Sequence, residues 1–491
     1  MPSRSVLVIG GGLAGLSSAV ALAEAGCVVR LLEKRPRLGG RATSYTLPDG
    51  SEVDNCQHVT LGCCTNFADF CRRVGADKKI RFYDRLYFVD AAGCRSTLEA
   101  SLLPPPLHLA PSFLFFGGLT LADKRGIARA LFTIARAGGE PPGADGTSML
   151  DWLGRMKQTP GAIDRFWRVV LVSALDEELA RTDARYGIEV FWKAFLGSRG
   201  GYRLGIPSVP LGDLYEGCRA AIVGRGGDVH LRCGVREVRV REGEFECVVL
   251  DDGSELTADA CIAAVPHDAL LKLLPLEMGA DGGPLAGLRH IKTSPITGVH
   301  LWFDRTVMTE PFLTLLDHTT QWVFNKSRLY GQDETIDANG RPTKETGSSA
   351  KSNRQYLQLV ISASYDLVPR SRQEIIDLCL RELGDVLPAT RRAELQRATV
   401  VKEVNATFSP EPGVDRWRSG QQIGVKNLFL AGDWTRTGWP ATMEGAARSG
   451  YLAAEALLAG FGRPQKCLQP DLPLEGLSRL WAKESRLAVH D

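Results

Sequence analysis

Near its start the chain reads SVLVIGGGLAGL, from Ser5 to Leu16, and this stretch decides the fold. An apolar run of strand length is followed by a glycine-rich turn and then by residues typical of a helix. The glycines are spaced as Gly10-x-Gly12-x-x-Gly15, the dinucleotide-binding pattern between a strand and a helix. Gly10 permits the tight turn, Gly12 keeps side chains away from a pyrophosphate, and Gly15 lets the helix lie close to the sheet. The stretch therefore predicts a Rossmann-like unit whose helix N-terminus binds phosphate.

A second strand, residues 28–32, follows the helix and ends at Glu33. A carboxylate at this point can accept hydrogen bonds from both ribose hydroxyls of a bound dinucleotide. Glycines alone would be a weak signal, whereas the combination of strand, turn, helix, strand and acid is specific. The unit still leaves FAD and NAD open. Its candidate cofactor-binding residues are Gly10, Gly12, Leu13, Ala14, Gly15, Glu33 and Lys34.

Two further segments, at opposite ends of the chain, distinguish FAD from NAD as the expected cofactor. The triplet GGR, residues 39–41, follows the ribose acid, and the strand-like run NLFLAGD, residues 427–433, ends in Gly-Asp. In this combination the chain resembles the superfamily of flavin amine oxidases and carotenoid desaturases. The resemblance implies FAD as the cofactor, with the Gly-Asp pair closing on its ribityl chain. It adds these candidate FAD-binding residues: Gly39, Gly40, Arg41, Gln57, His58, Val235, Gly432, Asp433, Met443 and Glu444.

Three residues of this set have more specific expectations. The resemblance places Val235 against the adenine. Arg41 would offset pyrophosphate charge, and a plain surface arginine is the alternative. Glu444 lies where an alanine-rich helix begins, so it is as consistent with a charge near a helix N-terminus as with a cofactor contact.

The fold class that follows is α/β, of the amine oxidase and desaturase type. A Rossmann-like FAD-binding domain, a parallel sheet with helices, carries an inserted α+β substrate-binding domain. The expected FAD-binding domain is discontinuous and comprises residues 1–81, 207–275 and 398–462. The expected substrate-binding domain comprises residues 82–206 and 276–397. Residues 463–491 are expected to form a C-terminal tail. Within the insertion, the pattern predicts helices at about 122–137, 148–157 and 163–195.

Composition restricts the classes of protein to consider. Of the 491 residues, 44% are hydrophobic and 24% charged, with a formal charge of +2, which argues against nucleic-acid binding. The 12 cysteines include no Cys-x-x-Cys pair, so they indicate neither a zinc site nor a disulfide framework, and we predict no metal. No apolar run reaches the ~18 residues of a membrane span, and we expect a cytoplasmic protein.

A segment rich in leucine, phenylalanine and proline, residues 102–121, carries hardly a charge. Ordinary core packing is one interpretation. Three consecutive prolines at 104–106, with Pro111, oppose a regular helix, so burial of the whole run is harder. An exposed apolar mouth beside a flavin would admit a membrane-dissolved hydrocarbon, which favours a long-chain isoprenoid over an amino acid. We therefore expect peripheral contact with the inner face of the cytoplasmic membrane.

Two groups of side chains are candidates for the chemistry. Asp54 or His58, on the loop that the resemblance places beside the flavin, could protonate a leaving hydroxyl, since the ordinary pKa of histidine lies near neutrality. In the alternative interpretation, Asp54 and Gln57 hold the loop by hydrogen bonds and His58 only packs. Trp434 and Trp439 would lie near the flavin ring, where an aromatic face can stabilise a cation. Packing against the cofactor is their alternative role.

Three runs carry a closer resemblance. DNCQHV at residues 54–59, FCRRVG at 70–75 and GDWTRTGWPATME at 432–444 are similar to segments of the hydroxysqualene dehydroxylases, also called squalene-associated FAD-dependent desaturases. The resemblance implies reductive dehydroxylation of hydroxysqualene to squalene in bacterial hopanoid synthesis, with hydride passing from N5 of reduced flavin to an allylic cation. It does not name the external reductant.

Three alternatives remain open. A carotenoid-type desaturase would use oxidised FAD to take hydrogens from phytoene or its C30 analogue, and it shares the FAD motifs and an apolar tunnel. A flavin amine oxidase would need a polar amine-recognition site, which the composition of the mouth disfavours. An FAD-stabilised binding protein without turnover is the alternative from another functional class.

Overall fold

The computed structural model describes residues 3–48, 50–331 and 354–488. A parallel sheet and a mixed sheet organise the two halves of the molecule, and helices cover both.

The parallel sheet is assembled from strands that are far apart in sequence. From one edge to the other its strands are Asp228–Leu231, Val28–Glu33, Ser5–Ile9, Ala260–Ala263 and Leu428–Leu430. Every neighbouring pair in this order is parallel. The apolar side chains of the inner strands are buried, as expected for a sheet with both faces covered. Their carboxyl ends meet at one edge, the place where open α/β sheets bind ligands.

Two helices pack against each other beside this sheet, Leu13–Glu24 and Met443–Gly460. Gly450 permits their close contact, because an added Cβ there would lie 2.1 Å from Ser17 Oγ. The first helix is buried on almost every side, which suits its place between a sheet and a second helix. Each helix follows a strand of the parallel sheet, so both N-termini lie near the ligand-binding edge.

The mixed sheet has a core of its own. In spatial order its strands are Leu395–Phe408, Thr293–Phe303, Gln355–Ile361, Trp322–Asn325, Phe312–Leu315, Leu86–Val89 and Arg95–Leu98. One face packs against the helix Arg372–Val386 through buried aliphatic side chains such as Val299 and Leu359. Side chains of the other face, Trp322 and Val360 among them, belong to a different cluster and line a cavity.

A group of helices lies near that second face. They are Leu107–Leu109, Ala110–Leu114, Leu121–Arg136, Met149–Arg155, Pro160–Ala162, Ile163–Trp167, Arg168–Leu175, Ala184–Val190 and Phe191–Leu196. Ile163–Trp167 and Phe191–Leu196 are π-helical turns, a feature often found at functional sites. The prediction of one helix over 163–195 is wrong in detail, because Asp176 has a left-handed backbone with φ of 52° and ends the helix after Leu175.

The C-terminal helix Gly476–Ala488 packs against the helix Leu121–Arg136. Trp481 meets Phe132 edge to face, with ring centroids 5.6 Å apart. The Leu477 N–H donates to the Pro105 carbonyl over 2.9 Å, so the tail also borders the apolar segment 102–121. Residues 489–491 of the predicted tail lie outside the described residues.

Shorter elements complete the fold. The remaining strands are Ser44–Thr46, Glu52–Asp54, Thr60–Leu61, Ile80–Tyr83, Leu204–Pro207, Val235–Arg241, Glu244–Leu250 and Glu255–Leu256. The remaining helices are Thr65–Arg73, Asp77–Lys79, Leu211–Tyr215, Glu216–Val223, His267–Leu273, Leu276–Gly279, Ala286–His290, Lys326–Leu329, Tyr365–Leu367, Pro388–Arg392 and Val414–Arg416.

The predicted α/β class, with a parallel sheet, helices and a mixed α+β part, is confirmed. Within the part of the chain that the structure describes, no helix combines the length and apolar character needed to cross a bilayer.

Candidate functional site

One continuous cavity of about 1080 Å³ lies between the parallel sheet and the mixed sheet. Its volume exceeds the roughly 300–1,000 Å³ of typical small-molecule sites, so it has room for a cofactor and a substrate together. Glycine-rich backbone walls one end, and apolar side chains wall the other.

Most of the residues selected from the sequence line this cavity. They are Gly10, Gly12, Leu13, Ala14, Glu33, Lys34, Gly39, Gly40, Arg41, Gln57, His58, Val235, Gly432, Asp433, Trp434, Trp439, Met443 and Glu444. Gly15 and Asp54 lie behind its wall. Gly15 serves close packing at the start of the helix, because an added Cβ would lie 1.9 Å from the Gly10 carbonyl oxygen.

The two glycine-rich turns contact each other and form the floor of the nucleotide end. The Gly39 N–H donates to the Gly11 carbonyl over 2.8 Å, and Gly40 lies directly against Gly12. At Gly12, φ is −75° and an added Cβ would approach only the Gly40 Cα, at 3.8 Å. The protein's own packing therefore does not require glycine at this position. The open space above it fits a pyrophosphate at the N-terminus of the helix Leu13–Glu24.

Glu33 ends its strand with its carboxylate held by the backbone. The two oxygens accept hydrogen bonds from the N–H of Gly11, at 2.6 Å, and of Arg35, at 2.7 Å. Each carboxylate oxygen has a further lone pair, so ribose hydroxyls can still donate to it. The Cys233 N–H donates to the Glu33 carbonyl, which brings the segment containing Val235 beside the expected adenine position.

An ion pair joins the two ends of the chain at the cavity wall. Arg41 donates to Asp433 Oδ1 over 2.7 Å and to the Ala406 carbonyl over 2.6 Å. Asp433 also accepts the Trp434 N–H. Arg41 is therefore a part of the site and not a plain surface arginine.

The N-terminus of the helix Met443–Gly460 also faces the cavity. Two helix N-termini, with their partial positive charge, thus converge on one place. Glu444, in the first turn, is buried and accepts hydrogen bonds from the backbone N–H groups of Asn66, at 3.2 Å, and Phe67, at 2.8 Å. Its carboxylate ties the helix Thr65–Arg73 to the site, which agrees with its interpretation as a helix-end charge.

Arg418, a buried residue that no motif marks, shapes the loop 433–439. Its guanidinium donates to three backbone carbonyls of that loop over distances between 2.6 and 3.0 Å. Asp415, at 3.0 Å, balances its charge. Arg418 therefore fixes the backbone that carries Trp434 and Trp439, and only the tertiary structure reveals this.

Asp54 lies in a buried ion pair behind the cavity wall. Lys326 Nζ is 2.7 Å from Asp54 Oδ2 and 2.6 Å from Gln57 Oε1, and both charged side chains are fully buried. The Ser44 hydroxyl and the Leu211 N–H also donate to Asp54. Burial alone would raise the pKa of Asp54, but Lys326 and these donors outweigh it and lower the pKa below its ordinary value.

This network corrects one expectation. Asp54 is ionised and has its oxygens engaged away from the cavity, so it holds the loop 54–58 rather than protonating a substrate. Gln57 lines the cavity and is held by the same lysine. Lys326 was not predicted, because a partner 272 positions away leaves no local signal in the sequence.

His58 lines the cavity, and a contact with the Cys56 carbonyl sets its tautomer. Its Nδ1 lies 3.0 Å from the Cys56 carbonyl oxygen, which can only accept, so Nδ1 carries the hydrogen and Nε2 is an acceptor. Burial lowers the pKa of His58, so the ring is neutral at neutral pH. His58 can therefore accept a hydrogen bond from a substrate hydroxyl. The expected role as proton donor would need a protonated imidazolium, which the lowered pKa disfavours.

Asp176 is a second carboxyl of the site and was not predicted from the sequence. It lines the cavity and is 4% exposed. Its Oδ1 accepts the Ala363 N–H over 2.8 Å, and its Oδ2 lies 2.9 Å from the Thr407 hydroxyl oxygen. Burial raises the pKa of Asp176 well above its ordinary value, and neighbouring Glu177 adds to the effect. A carboxyl whose pKa is raised by burial thus lies in the cavity wall.

Aromatic rings form much of the apolar end. Phe166 lies edge-on to Phe113, with centroids 5.5 Å apart, and stacks on Phe191 at 5.4 Å. Phe195 continues the row at 5.5 Å from Phe191. All four rings line the cavity, so aromatic carbon forms much of its apolar end.

The two tryptophans selected from the sequence have different surroundings. The Trp434 indole N–H donates to the Val265 carbonyl over 2.9 Å, which fixes its ring. One face of Trp439 is occupied by Lys193 Nζ, 4.3 Å from the ring centroid. Trp439 therefore already contacts a protein cation.

The cavity reaches the surface at the apolar segment 102–121 and the adjoining helix. Leu107 and Phe132 line it and are themselves exposed, and Leu102 and Phe115 are 93% and 84% exposed nearby. Phe116, in contrast, is buried. Both interpretations of this segment are thus correct for different residues: one part packs in the core and the other forms an exposed apolar mouth.

The chain is similar to known proteins over nearly its whole length. The family profile described as flavin containing amine oxidoreductase matches residues 13–458. The zeta-carotene desaturase of Zea mays is 27% identical over 499 aligned positions, which cover 96% of this chain and 86% of that protein. The 15-cis-phytoene desaturase of Capsicum annuum is 27% identical over 488 positions, which cover 94% and 80%.

Solved structures share the fold. An oxidoreductase from Methanosarcina mazei superposes with a TM-score of 0.70 at 18% identity, covering 93% of this chain and all of that one. A triple mutant of putrescine oxidase superposes with a TM-score of 0.69 at 17% identity, covering 93% and 99%. At these identities the likeness concerns the fold.

Proposed function

Because the chain belongs to the family of flavin containing amine oxidoreductases, and is a flavin-dependent oxidoreductase with FAD as its cofactor, we propose that it converts hydroxysqualene to squalene. In this reaction a C–OH bond is replaced by a C–H bond at the expense of reduced FAD. The proposed substrate class is the long-chain isoprenoids.

The observation that carries this proposal is the continuity of the cavity from the glycine-rich floor to the exposed apolar mouth. A long hydrocarbon has almost no polar atoms to satisfy, so a wall of leucine, valine and phenylalanine side chains suits it. The three sequence runs that resemble hydroxysqualene dehydroxylases add support, since two of them, 54–59 and 432–444, border the cavity.

When bound in this cradle, FAD supplies a ring that can give or accept a hydride. His58 Nε2 accepts a hydrogen bond from the substrate hydroxyl and orients it. Phe166, Phe191 and Phe195 exclude water and shelter positive charge that develops on the hydrocarbon, each face contributing about 0.5–2 kcal/mol. Lys326 and Arg418 keep the two loops that border the reaction in place.

Desaturation of a carotenoid precursor is the second candidate. One observation favours it: the relatives from Zea mays and Capsicum annuum carry the names of carotenoid desaturases. The reaction would use the same cavity with oxidised FAD. It would not need a proton donor for a hydroxyl group, which separates the two candidates chemically.

The test gives the purified, FAD-loaded protein two substrates. Hydroxysqualene is supplied without oxygen together with chemically reduced FAD, and phytoene or its C30 analogue is supplied in air, with products identified by mass. Squalene in the first reaction supports the proposal. A dehydrogenated polyene in the second reaction, with no squalene in the first, supports carotenoid desaturation instead. The absence of product in both reactions rejects both candidate functions.

We propose the surface of an anionic bilayer as the partner of the apolar mouth. The exposed side chains Leu102, Phe115 and Phe132 adjoin the opening of the cavity. The helix Leu121–Arg136 also carries Lys124, Arg125, Arg129 and Arg136 against the single acid Asp123. Apolar side chains beside basic ones suit the interface of a membrane with negative headgroups. This docking would place the mouth where an isoprenoid is dissolved, at the inner face of the cytoplasmic membrane.

A further inference from the structure

The Asp176 carboxyl lies where three elements meet at the cavity. The residue itself ends the helix Arg168–Leu175, Ala363 follows the strand Gln355–Ile361, and Thr407 belongs to the strand Leu395–Phe408. Ala363 and Thr407 hold the two carboxyl oxygens at 2.8 and 2.9 Å. The carboxyl is thus fixed by elements of the rigid scaffold.

The backbone at this place is unusual. Asp176 has φ of 52° and its partner Ala363 has φ of 49°, both in the left-handed region that side chains other than glycine adopt at a cost. Two such residues joined by one hydrogen bond indicate a conformation that the surrounding structure enforces. Backbone strain of this kind clusters at active sites.

The charges that face Asp176 do not stabilise its ionised form. Its immediate partners, an amide and a hydroxyl, are uncharged; as donors they lower the pKa of Asp176, but burial outweighs them. Glu177 is fully buried and accepts the Tyr365 hydroxyl at 2.7 Å, while Arg181 lies 3.4 Å from Glu177. Glu177 therefore disfavours a negative charge on Asp176, and Arg181 is directed to Glu177.

We propose that Asp176 is the proton donor to the hydroxyl that leaves the substrate, an inference that rests on the proposed dehydroxylation. The C–O bond breaks with both electrons going to oxygen, which takes the carboxyl proton and leaves as water. Asp176 remains as a carboxylate and regains its proton from solvent. The allylic cation is completed to C–H by the hydride of reduced FAD, the reductant of the proposed function.

Asp176 and His58 then have complementary roles. The hydroxyl oxygen of the substrate accepts a proton from Asp176, while its own hydrogen is directed to His58 Nε2, which is an acceptor. A neutral histidine with a lowered pKa is a poor acid, whereas a buried carboxyl with a raised pKa holds its proton to a higher pH than an ordinary aspartate does. The sequence motifs alone could not indicate this division of roles between Asp176 and His58.

The test compares two identical substitutions at buried aspartates. Asp176→Asn keeps the shape and the acceptor for the Ala363 N–H but removes the acidic proton. Asp90→Asn is the matched control: Asp90 is 7% exposed, accepts the Ala92 and Cys94 N–H groups through one oxygen, and lies outside the cavity wall. We expect Asp176→Asn to lower kcat for hydroxysqualene by about 10²–10⁴-fold, the usual contribution of a general acid, with FAD content and KM unchanged. Asp90→Asn should behave like the wild type.

Two further readouts do not depend on the size of the rate change. At neutral pH, the infrared spectrum of the wild-type protein minus that of Asp176→Asn should contain the band of a protonated carboxyl. The wild-type rate should fall as the pH rises through the pKa of Asp176, and this alkaline limb should be missing in the variant.

The possible failures can be told apart. If the wild type makes squalene and Asp176→Asn makes it equally fast, the proton-donor role is rejected and the proposed function stands. If the wild type makes no squalene at all, the proposed function fails first. If Asp176→Asn does not fold, the infrared band of the wild-type protein decides, since its absence at neutral pH overturns the inference.

Discussion

At the scale of single residues, two glycines of one motif have different reasons to be glycine. Gly15 is required by the protein's own packing, because an added Cβ would lie 1.9 Å from the Gly10 carbonyl oxygen. Gly12 meets no such obstacle. We predict that Gly12→Ala folds like the wild type but binds FAD about tenfold more weakly or worse, about 1.4 kcal/mol. Gly15→Ala should lose stability with or without FAD.

Calorimetric titration of the apoprotein with FAD, together with urea denaturation, separates these two effects. An unchanged FAD affinity in Gly12→Ala would mean that the pyrophosphate does not lie over this turn. Normal stability in Gly15→Ala would mean that the helix and the strand can move apart at small cost.

The buried pair of Asp54 and Lys326 supports a prediction about stability. Lys326→Met leaves a buried carboxylate without its partner, so we expect a loss of about 3–5 kcal/mol in the free energy of unfolding. The double variant Lys326→Met with Asp54→Asn should lose less, because no charge stays unpaired. The exposed pair of Arg85 and Glu99 is the control, and Arg85→Met should cost about 0–1 kcal/mol. Urea denaturation measures all three, and a double variant less stable than Lys326→Met would contradict the argument.

The same pair gives a pH dependence with a definite sign. The folded pKa of Asp54 lies below its unfolded value, because Lys326 and the other donors outweigh burial. Its stabilisation is therefore complete above the ordinary carboxyl pKa and is lost as the pH falls through the lowered, folded pKa. The stability difference between wild type and Asp54→Asn should shrink on acidification. A difference that grows toward acid would reverse the assignment.

What the sequence revealed at this scale was local. Glycine spacing and an acid at a strand end are short-range patterns, and the residues they mark line the cavity. Lys326, Arg418 and Asp176 could not be selected in this way, because each matters through partners that only the tertiary fold brings near. Asp176 in particular has the sequence context of a helix interior, and its left-handed backbone depends on contacts with distant segments.

At the scale of elements, the apolar mouth gives the clearest prediction. Phe115 is 84% exposed beside the cavity opening, and Leu276, in the helix Leu276–Gly279, is 85% exposed. Phe115→Glu should weaken binding to vesicles that contain anionic lipid by about fivefold or more, since one charge near the surface is worth about 1 kcal/mol. Leu276→Glu should bind as the wild type does. Vesicle co-sedimentation measures both.

Turnover of substrate in detergent should stay normal in Phe115→Glu, because Phe115 is outside the cavity wall. Equal loss of vesicle binding in both variants would show that added negative charge acts nonspecifically, and no loss in either would remove the mouth as the docking surface.

Elements were predictable where their periodicity was undisturbed. The first strand and helix follow from their apolar patterns, and their observed bounds, Ser5–Ile9 and Leu13–Glu24, agree with them. The segment 102–121 was ambiguous for a physical reason: prolines break its periodicity, and leucine serves equally well in a core and at an exposed mouth. Which side chains are exposed was decided by the neighbouring helices.

At the scale of the whole molecule, the site exists only when distant parts of the chain come together. The Arg41–Asp433 pair joins positions 392 apart, and the strands of the parallel sheet come from segments separated by the mixed sheet. The resemblance to flavoproteins at both termini made this convergence predictable. The domain boundaries proposed from the sequence remain a prediction, because sheet order alone does not show where each unit would fold by itself.

FAD should therefore stabilise the fold as a whole, since residues near both ends of the chain form its cradle. A ligand that binds only the folded state adds about 2.7 kcal/mol to the free energy of unfolding when its free concentration is 100-fold above its Kd. We predict this gain for the wild type in urea denaturation, measured with and without FAD. Gly12→Ala at the same FAD concentration should gain only about 1.4 kcal/mol, because a tenfold weaker Kd leaves a tenfold excess. An apoprotein that unfolds at the same urea concentration as the FAD-loaded protein would mean that the cofactor does not join the two ends, since any ligand held between them must oppose their separation.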